Sequence, residues 1–253
     1  MIPRIVSQTW KSAELPVEAA RLVAGWRRYN PQLDFRFYDD AACRALMAEV
    51  FPQHLAAYDA LPHPVMRADV FRYAVVYRDG GLYADIDMEC LKPVAPVLAG
   101  GSCILSIEAH LGATRQAELG YAAGTQIANC IFAAAPGHDF FRRAVERCFA
   151  LFAACEPRLP VPVEDITGPR MLTRLFEEGP RDGITVLPQI VLMAPLDYPD
   201  LWPLNRHMYT RHRTFGTWKD QHGGVSLRRR FIERNRLPNP LPAGLGFLRG
   251  SKA

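Results

Sequence analysis

Apolar and polar positions along the chain follow two periods. Pro3 to Thr9 opens with an apolar pair, Ile5-Val6, and closes on polar Ser7-Gln8-Thr9, a pattern that predicts a strand. Pro16 to Tyr29 places Ala20, Val23, Ala24 and Trp26 at helical spacing, with acidic Glu18 near its start. Asn30-Pro31 marks a turn, and Asp34 to Tyr38 alternates as a strand does. Asp39 or Asp40 then caps a helix over Ala41 to Val50 by offering oxygen to a first-turn N–H. A further helix runs from Val65 to Arg78, with Val70, Phe71, Ala74, Val75 and Tyr77 as its apolar face. Gly80-Gly81 is placed to stop it in the left-handed conformation.

Next comes Leu82-Tyr83-Ala84-Asp85-Ile86-Asp87, a short strand whose end turns acidic. Cys103 to Ile107 and Ile184 to Leu187 read as strands, and Ile127 to Ala133 is an apolar run. Asp139 to Phe152 and Thr167 to Glu177 read as helices. A basic helix is expected over Val225 to Arg236, followed from residue 237 by a Pro- and Gly-rich tail. The β-α-β-α rhythm predicts an α/β fold with a largely parallel sheet flanked by helices. The 253 residues suit one such domain, with halves of about 1–110 and 111–236.

Composition adds two constraints. From Asn205 to Ala253 there are eleven Lys/Arg against two Asp/Glu, so that segment is strongly basic and the remainder, with 19 Lys/Arg against 24 Asp/Glu, is slightly acidic; the sum is the net charge of +4. That segment suits phosphate, nucleic acid or an anionic membrane face, and peripheral membrane contact through the basic helix is the expectation. The six cysteines, Cys43, Cys90, Cys103, Cys130, Cys148 and Cys155, form no Cys-x-x-Cys pair and lie in apolar stretches. They read as reduced buried thiols, which fits a cytoplasmic protein. No secretory leader and no apolar run of membrane-spanning length is visible, so the expectation is a soluble or at most peripheral protein.

The candidate chemistry is concentrated in Asp69-x-x-Arg72 followed by Gly80-Gly81-x-Tyr83-x-Asp85-x-Asp87. On a strand, residues two apart share a face, so Asp85 and Asp87 are expected side by side where the strand leaves the sheet. Ligands of open α/β sheets bind at such carboxyl ends. Two carboxylates a few ångströms apart repel by roughly 4 kcal/mol at an effective dielectric near 20. A divalent cation offsets this, and hard oxygen donors suit Mg²⁺ or Mn²⁺. Asp69 and Arg72, three apart on a helix, share a face opposite the apolar stripe.

This set of residues resembles the Asp-x-Asp sugar transferases of glycosyltransferase family 32. The opening Ile2-Pro3-Arg4-Ile5-Val6-Ser7-Gln8-Thr9-Trp10 is similar to the family's first strand, with Ser7 in place of a usual His. Asn129 with Ala135-Pro136-Gly137-His138, Thr167-Gly168-Pro169, and His212 with Trp218 are similar to later family segments. The resemblance implies a GT-A fold, Rossmann-like in its nucleotide-binding half, with a smaller acceptor-side region. It implies a retaining enzyme of polysaccharide synthesis, as in capsule or lipopolysaccharide enzymes, that moves a sugar from a UDP- or GDP-linked donor to a saccharide or lipid-linked acceptor. Asp87 would bind the metal, and Asp85 the ribose or the metal. Asp69 and Arg72 would hold the donor sugar's hydroxyls, and Asp85, Asp87 and Arg72 form the catalytic set. Tyr83 and Asn129 would line the donor pocket, Gln8, Thr9 and Trp10 would sit by the nucleotide, and Trp218 would close over the phosphate. His212 would complete the metal shell, with His222 as its competitor.

Two other classes use similar residues. A nucleotidyltransferase or phosphohydrolase would employ the same acidic pair, but would show a Gly-rich phosphate loop near its first strand, and Ile2 to Lys11 has no glycine. A non-catalytic sugar- or nucleic-acid-binding module would rely on the basic tail; nucleic acid is not the expected partner.

Overall fold

A computed structural model describes residues 1–155 and 161–213; the basic helix expected over 225–236 and the tail after it lie outside these residues. The chain opens as its pattern predicts, with β1 (Ile5–Thr9), α1 (Val17–Tyr29), β2 (Asp34–Tyr38) and α2 (Asp40–Val50). Asp39 caps α2, its Oδ1 accepting from the Ala42 N–H at 2.8 Å. In α1 the inward face is Ala19, Leu22 and Trp26, not the Ala20, Val23 and Ala24 expected alongside Trp26. The Trp26 indole sets this rotation by donating to the Met88 carbonyl at 2.8 Å, and positions four and seven residues earlier then turn inward.

A short helix, α3 (Leu55–Asp59), leads into α4 (Pro64–Asp79). Pro64 stands in the first turn, where its missing N–H costs no helical hydrogen bond. Asp69 to Val76 are all buried, so the face that Asp69 and Arg72 share is enclosed by the fold. The chain then enters β3 (Gly81–Ala84) through Gly80, whose φ of 65° is positive but whose ψ of −158° is extended. The helix therefore ends without the expected left-handed stop, because the backbone passes straight into the sheet. A Cβ on Gly80 would stand 2.7 Å from Pro136, and one on Gly81 2.7 Å from the Ile5 carbonyl oxygen.

The rest of the chain supplies β4 (Met88–Cys90), α5 (Ala95–Leu98), β5 (Cys103–His110), α6 (Ala113–Leu119), β6 (Thr125–Ile127) and β7 (Ile131–Ala134). It continues with α7 (Asp139–Ala154), α8 (Val163–Ile166), α9 (Pro169–Glu178), β8 (Ile184–Leu187), α10 (Gln189–Leu192) and β9 (Thr210–His212). The main sheet has the order β2-β1-β3-β7-β5-β6, with β8 also pairing β5. Pairing is parallel for β1 with β2, β1 with β3 and β5 with β8, and antiparallel at β7 and β6. The α/β class and the flanking helices agree with the sequence reading; β7 makes the sheet mixed. A separate antiparallel pair, β4-β9, sets Met88 opposite His212.

Alternation along β3 divides the interior into two cores. Tyr83 points into the core of α4 and α7, with Phe71, Phe132 and Phe141. Leu82 and Ala84 point into the opposite one, with Val6, Trp26 and Met88. All six cysteines are free thiols, five of them buried. Burial pushes Cys43 and Cys103 up to about 12, which leaves them protonated and unreactive.

Candidate active site

Strand direction gathers the site. β1 and β3 run parallel, so Thr9 and Ala84 end at one edge of the sheet. β7 runs the other way and starts at that edge, opposite Ala84, which brings Asn129 and Cys130 alongside. The Asp85 N–H donates to the Cys130 carbonyl at 2.9 Å.

Asp85 lies one residue beyond β3, and Asp85-Ile86-Asp87 is a turn closed by the Met88 N–H on the Asp85 carbonyl at 3.0 Å. The two carboxylates are therefore not neighbours through strand alternation, as the sequence argument assumed; the turn brings them together because the strand ends at Ala84. β9 adds His212, whose Nε2 lies 3.1 Å from Asp87 Oδ1. One ligand atom from each of Asp85, Asp87 and His212 lies within 4.8 Å of the other two. The His212 Nδ1 is buried without a hydrogen-bond partner. Burial opposes a charge on this imidazole, but Cys130 and Asp87 beside it raise its pKa well above the usual value.

Arg72 reaches this cluster from α4. Its guanidinium contacts Asp69 Oδ1 and Asp85 Oδ1, each at 3.2 Å, and donates to the Asn129 carbonyl at 2.8 Å. Its Nε is buried without a partner. Asp69 is held from three sides: Thr167 Oγ1 donates to Oδ2 at 2.8 Å, Asn129 Nδ2 to Oδ1 at 3.1 Å, and Arg72 takes the remainder. Burial pushes the Asp69 carboxyl up to about 7, although Arg72 and Thr167 pull it down. Burial likewise raises Asp85, with Arg72 opposing and Asp87 adding to the rise.

Tyr83 is fully buried, so it does not line a donor pocket as expected; its ring packs against Phe132 and beneath the Arg72 guanidinium. Its hydroxyl donates to Asp85 Oδ1 at 2.6 Å and so holds that carboxylate in place. At the end of β1, Gln8 Nε2 and Trp10 Nε1 are buried donors without partners, and Ser7 Oγ is likewise unmatched. Such atoms are costly unless a ligand or water meets them. Thr9 is satisfied, donating to the Tyr38 carbonyl at 2.8 Å. Trp218 and His222 lie outside the described residues.

The sequence reading gave Thr167 no role, yet its hydroxyl is a principal partner of Asp69. A Thr at the start of a helix gives no local sign that it reaches a carboxylate 98 residues away.

The family described as "Glycosyltransferase sugar-binding region containing DXD motif" matches residues 16–104, which include Asp69, Arg72, Asp85 and Asp87. Inositol phosphoceramide mannosyltransferase 3 of Schizosaccharomyces pombe is 34% identical over 97 residues, covering 38% of this chain and 27% of that protein. Inositol phosphoceramide mannosyltransferase 1 of the same yeast is 28% identical over 147 residues, covering 57% and 42%. Its initiation-specific alpha-1,6-mannosyltransferase is 31% identical over 157 residues, covering 58% and 39%. The chain thus spans less than half the length of each. Among solved structures, the PaToxG glycosyltransferase superposes with a TM-score of 0.52 at 16% identity, over 70% of this chain and 69% of that one, a likeness of fold.

Proposed function

We propose, from the premise that this chain belongs to the family of glycosyltransferases with a DXD-containing sugar-binding region and has the GT-A fold, that it transfers a sugar from a nucleotide diphosphate donor. The observation that carries the reading is the convergence of Asp85, Asp87 and His212 within 4.8 Å at the carboxyl edge of the sheet. Two carboxylates and an imidazole suit a divalent ion such as Mn²⁺ or Mg²⁺, and His212 Nε2 is the ring nitrogen next to Asp87. Bound there, the ion would neutralise charge on a departing diphosphate.

Arg72, already balanced between Asp69 and Asp85, adds fixed positive charge next to the diphosphate site. Asp69, held by Thr167 and Asn129, presents oxygens to the donor sugar's hydroxyls. Gln8 and Trp10 offer their unmatched donors to the nucleotide. The reaction breaks the bond from the anomeric carbon to the diphosphate oxygen and forms one to the acceptor oxygen. The acceptor attacks on the face from which the diphosphate departs and its proton passes to the departing phosphate oxygen, so the reading assigns no enzymatic nucleophile and the configuration is retained. The mannosyltransferase names of the relatives favour mannose as the sugar, and their inositol phosphoceramide substrates favour a lipid-borne polyol acceptor. Contact with a membrane face belongs to the same reading.

Release of nucleoside diphosphate from a panel of UDP- and GDP-sugars, GDP-mannose included, tests this. Asp87→Asn should lower turnover more than 100-fold with an unchanged far-ultraviolet circular dichroism spectrum. Turnover like that of the wild type in this variant would refute the reading.

A further inference from the structure

Beyond Asp87 the chain runs through β4 beside a cavity of about 590 Å³, within the range of small-molecule sites. Its floor comes from α1 and the end of β4, and its rim from residues 200–208. None of the residues placed in the candidate active site lines it. Glu89 does, and at about 3.3 Å per residue it stands about 7 Å along the chain from Asp87.

Three features describe what would fill it. The first is uncompensated positive charge. Lys92 lies over the Tyr209 ring, 4.3 Å from its centre, and donates to the Asn205 and Arg206 carbonyls. Arg206 Nε meets His207 Nε2 at 2.8 Å. Among the described residues, neither cation forms an ion pair with a carboxylate, whereas Glu89 is already matched by Arg213 at 2.7 Å. Burial lowers the pKa of Lys92, a penalty that an anion would relieve. The second feature is an aromatic plane. Trp202 is 79% exposed on the cavity rim, next to Leu201 at 67%, and adjacent large apolar side chains left in water mark contact surfaces. The third is a set of hydroxyl partners, the Asn205 amide with its Asp200 neighbour 2.9 Å away.

We infer that this cavity binds a phosphorylated polyol or sugar, its phosphate on Lys92 and Arg206, its ring against Trp202 and its hydroxyls on Asn205 and Asp200. Its role as the acceptor subsite rests on the transferase reading above; its capacity to bind does not. The same headgroup chemistry occurs on free metabolites and on lipids; the exposed Leu201 beside Trp202 would meet the apolar part of a lipid only.

Ligand-observed NMR and calorimetry on the full chain with myo-inositol 1-phosphate, myo-inositol and inorganic phosphate test the inference. Arg206→Gln and Trp202→Ala alter exposed side chains and should fold normally. The phosphorylated polyol should bind at least tenfold more tightly than either control. Arg206→Gln should weaken it about tenfold and Trp202→Ala at least threefold, while Asp87→Asn leaves it unchanged. Cosedimentation with phosphatidylcholine vesicles, with and without phosphatidylinositol, separates the sources. A preference for the inositol lipid that Arg206→Gln removes assigns a lipid-borne ligand; binding of the soluble compound without that preference assigns a free one. Failure of all three soluble probes to bind, equal binding of phosphate alone, or unchanged affinity in both variants would overturn the site. Loss of turnover in Asp87→Asn with no probe binding would leave the transferase reading standing and remove only the subsite.

Discussion

Arg72 sits between Asp69 and Asp85, one cation shared by two carboxylates. A single guanidinium cannot fully offset two buried negative charges, which is why burial dominates at Asp69 and moves its carboxyl from 3.8 to about 7. The sign of the stability effect follows. Between these values the unfolded chain has released the proton and the folded chain still holds it, so stability falls as pH rises through that window. The stabilisation is complete below about pH 4 and is gone above about pH 7. At roughly 1.4 kcal/mol per unit the effect amounts to a few kcal/mol. Urea unfolding at pH 4.5 and 7.5 measures it: the wild type should lose stability relative to Asp69→Asn over that interval. Parallel behaviour of the two proteins would show that Asp69 is ionised throughout.

At this scale the sequence is informative where neighbours in the chain are neighbours in space. Asp69 with Arg72, and Asp85 with Asp87, were legible because three or two residues separate them. Thr167, Asn129 and the Cys130 carbonyl reach the same carboxylates from loops distant in sequence, and no periodicity announces such contacts. In sequence, Tyr83 between two motif glycines and an aspartate reads equally as pocket wall or as core, and only the packing of Phe132 decides.

Among the elements, the link from α4 to β3 controls the site, since it carries Asp69 and Arg72 on one side and Asp85 on the other. Its conformation depends on Gly80, where a side chain would meet Pro136 and the Ala134 carbonyl within 2.8 Å and the positive φ adds strain. Gly80→Ala should therefore destabilise the protein by more than about 1 kcal/mol, read as a lower urea midpoint at an unchanged m-value. An unaltered midpoint would show that the link relaxes freely. The glycines were recognisable as a stop, but the kind of stop was not: an abrupt entry into a strand and a left-handed cap both require a positive φ. Helix extents were read well, since long periodic segments carry the strongest signal. The inward face of α1 was misassigned by one position, because Ala20, Val23 and Ala24 are small enough to sit on either side and the deciding contact, Trp26 with Met88, is not local.

For the whole molecule, topology explains how residues scattered from 8 to 212 meet. Parallel β1 and β3 end at one edge, antiparallel β7 begins there, and the small β4-β9 sheet folds His212 over Asp87. The α/β class was legible from the opening rhythm, whereas the reversed β7 was not, since a short apolar run of four residues carries no direction. No helix among the described residues is long and apolar enough to cross a membrane. The arrangement predicts one divalent-ion site per chain, shared with a nucleotide diphosphate. Electron paramagnetic resonance of free Mn²⁺, titrated with protein in the presence and absence of GDP or UDP, reads that occupancy. One Mn²⁺ should be taken up per chain, more tightly with nucleotide present, and both effects should be lost in Asp87→Asn. Undiminished free Mn²⁺ at all protein concentrations, with nucleotide or without, would contradict the assignment of this site.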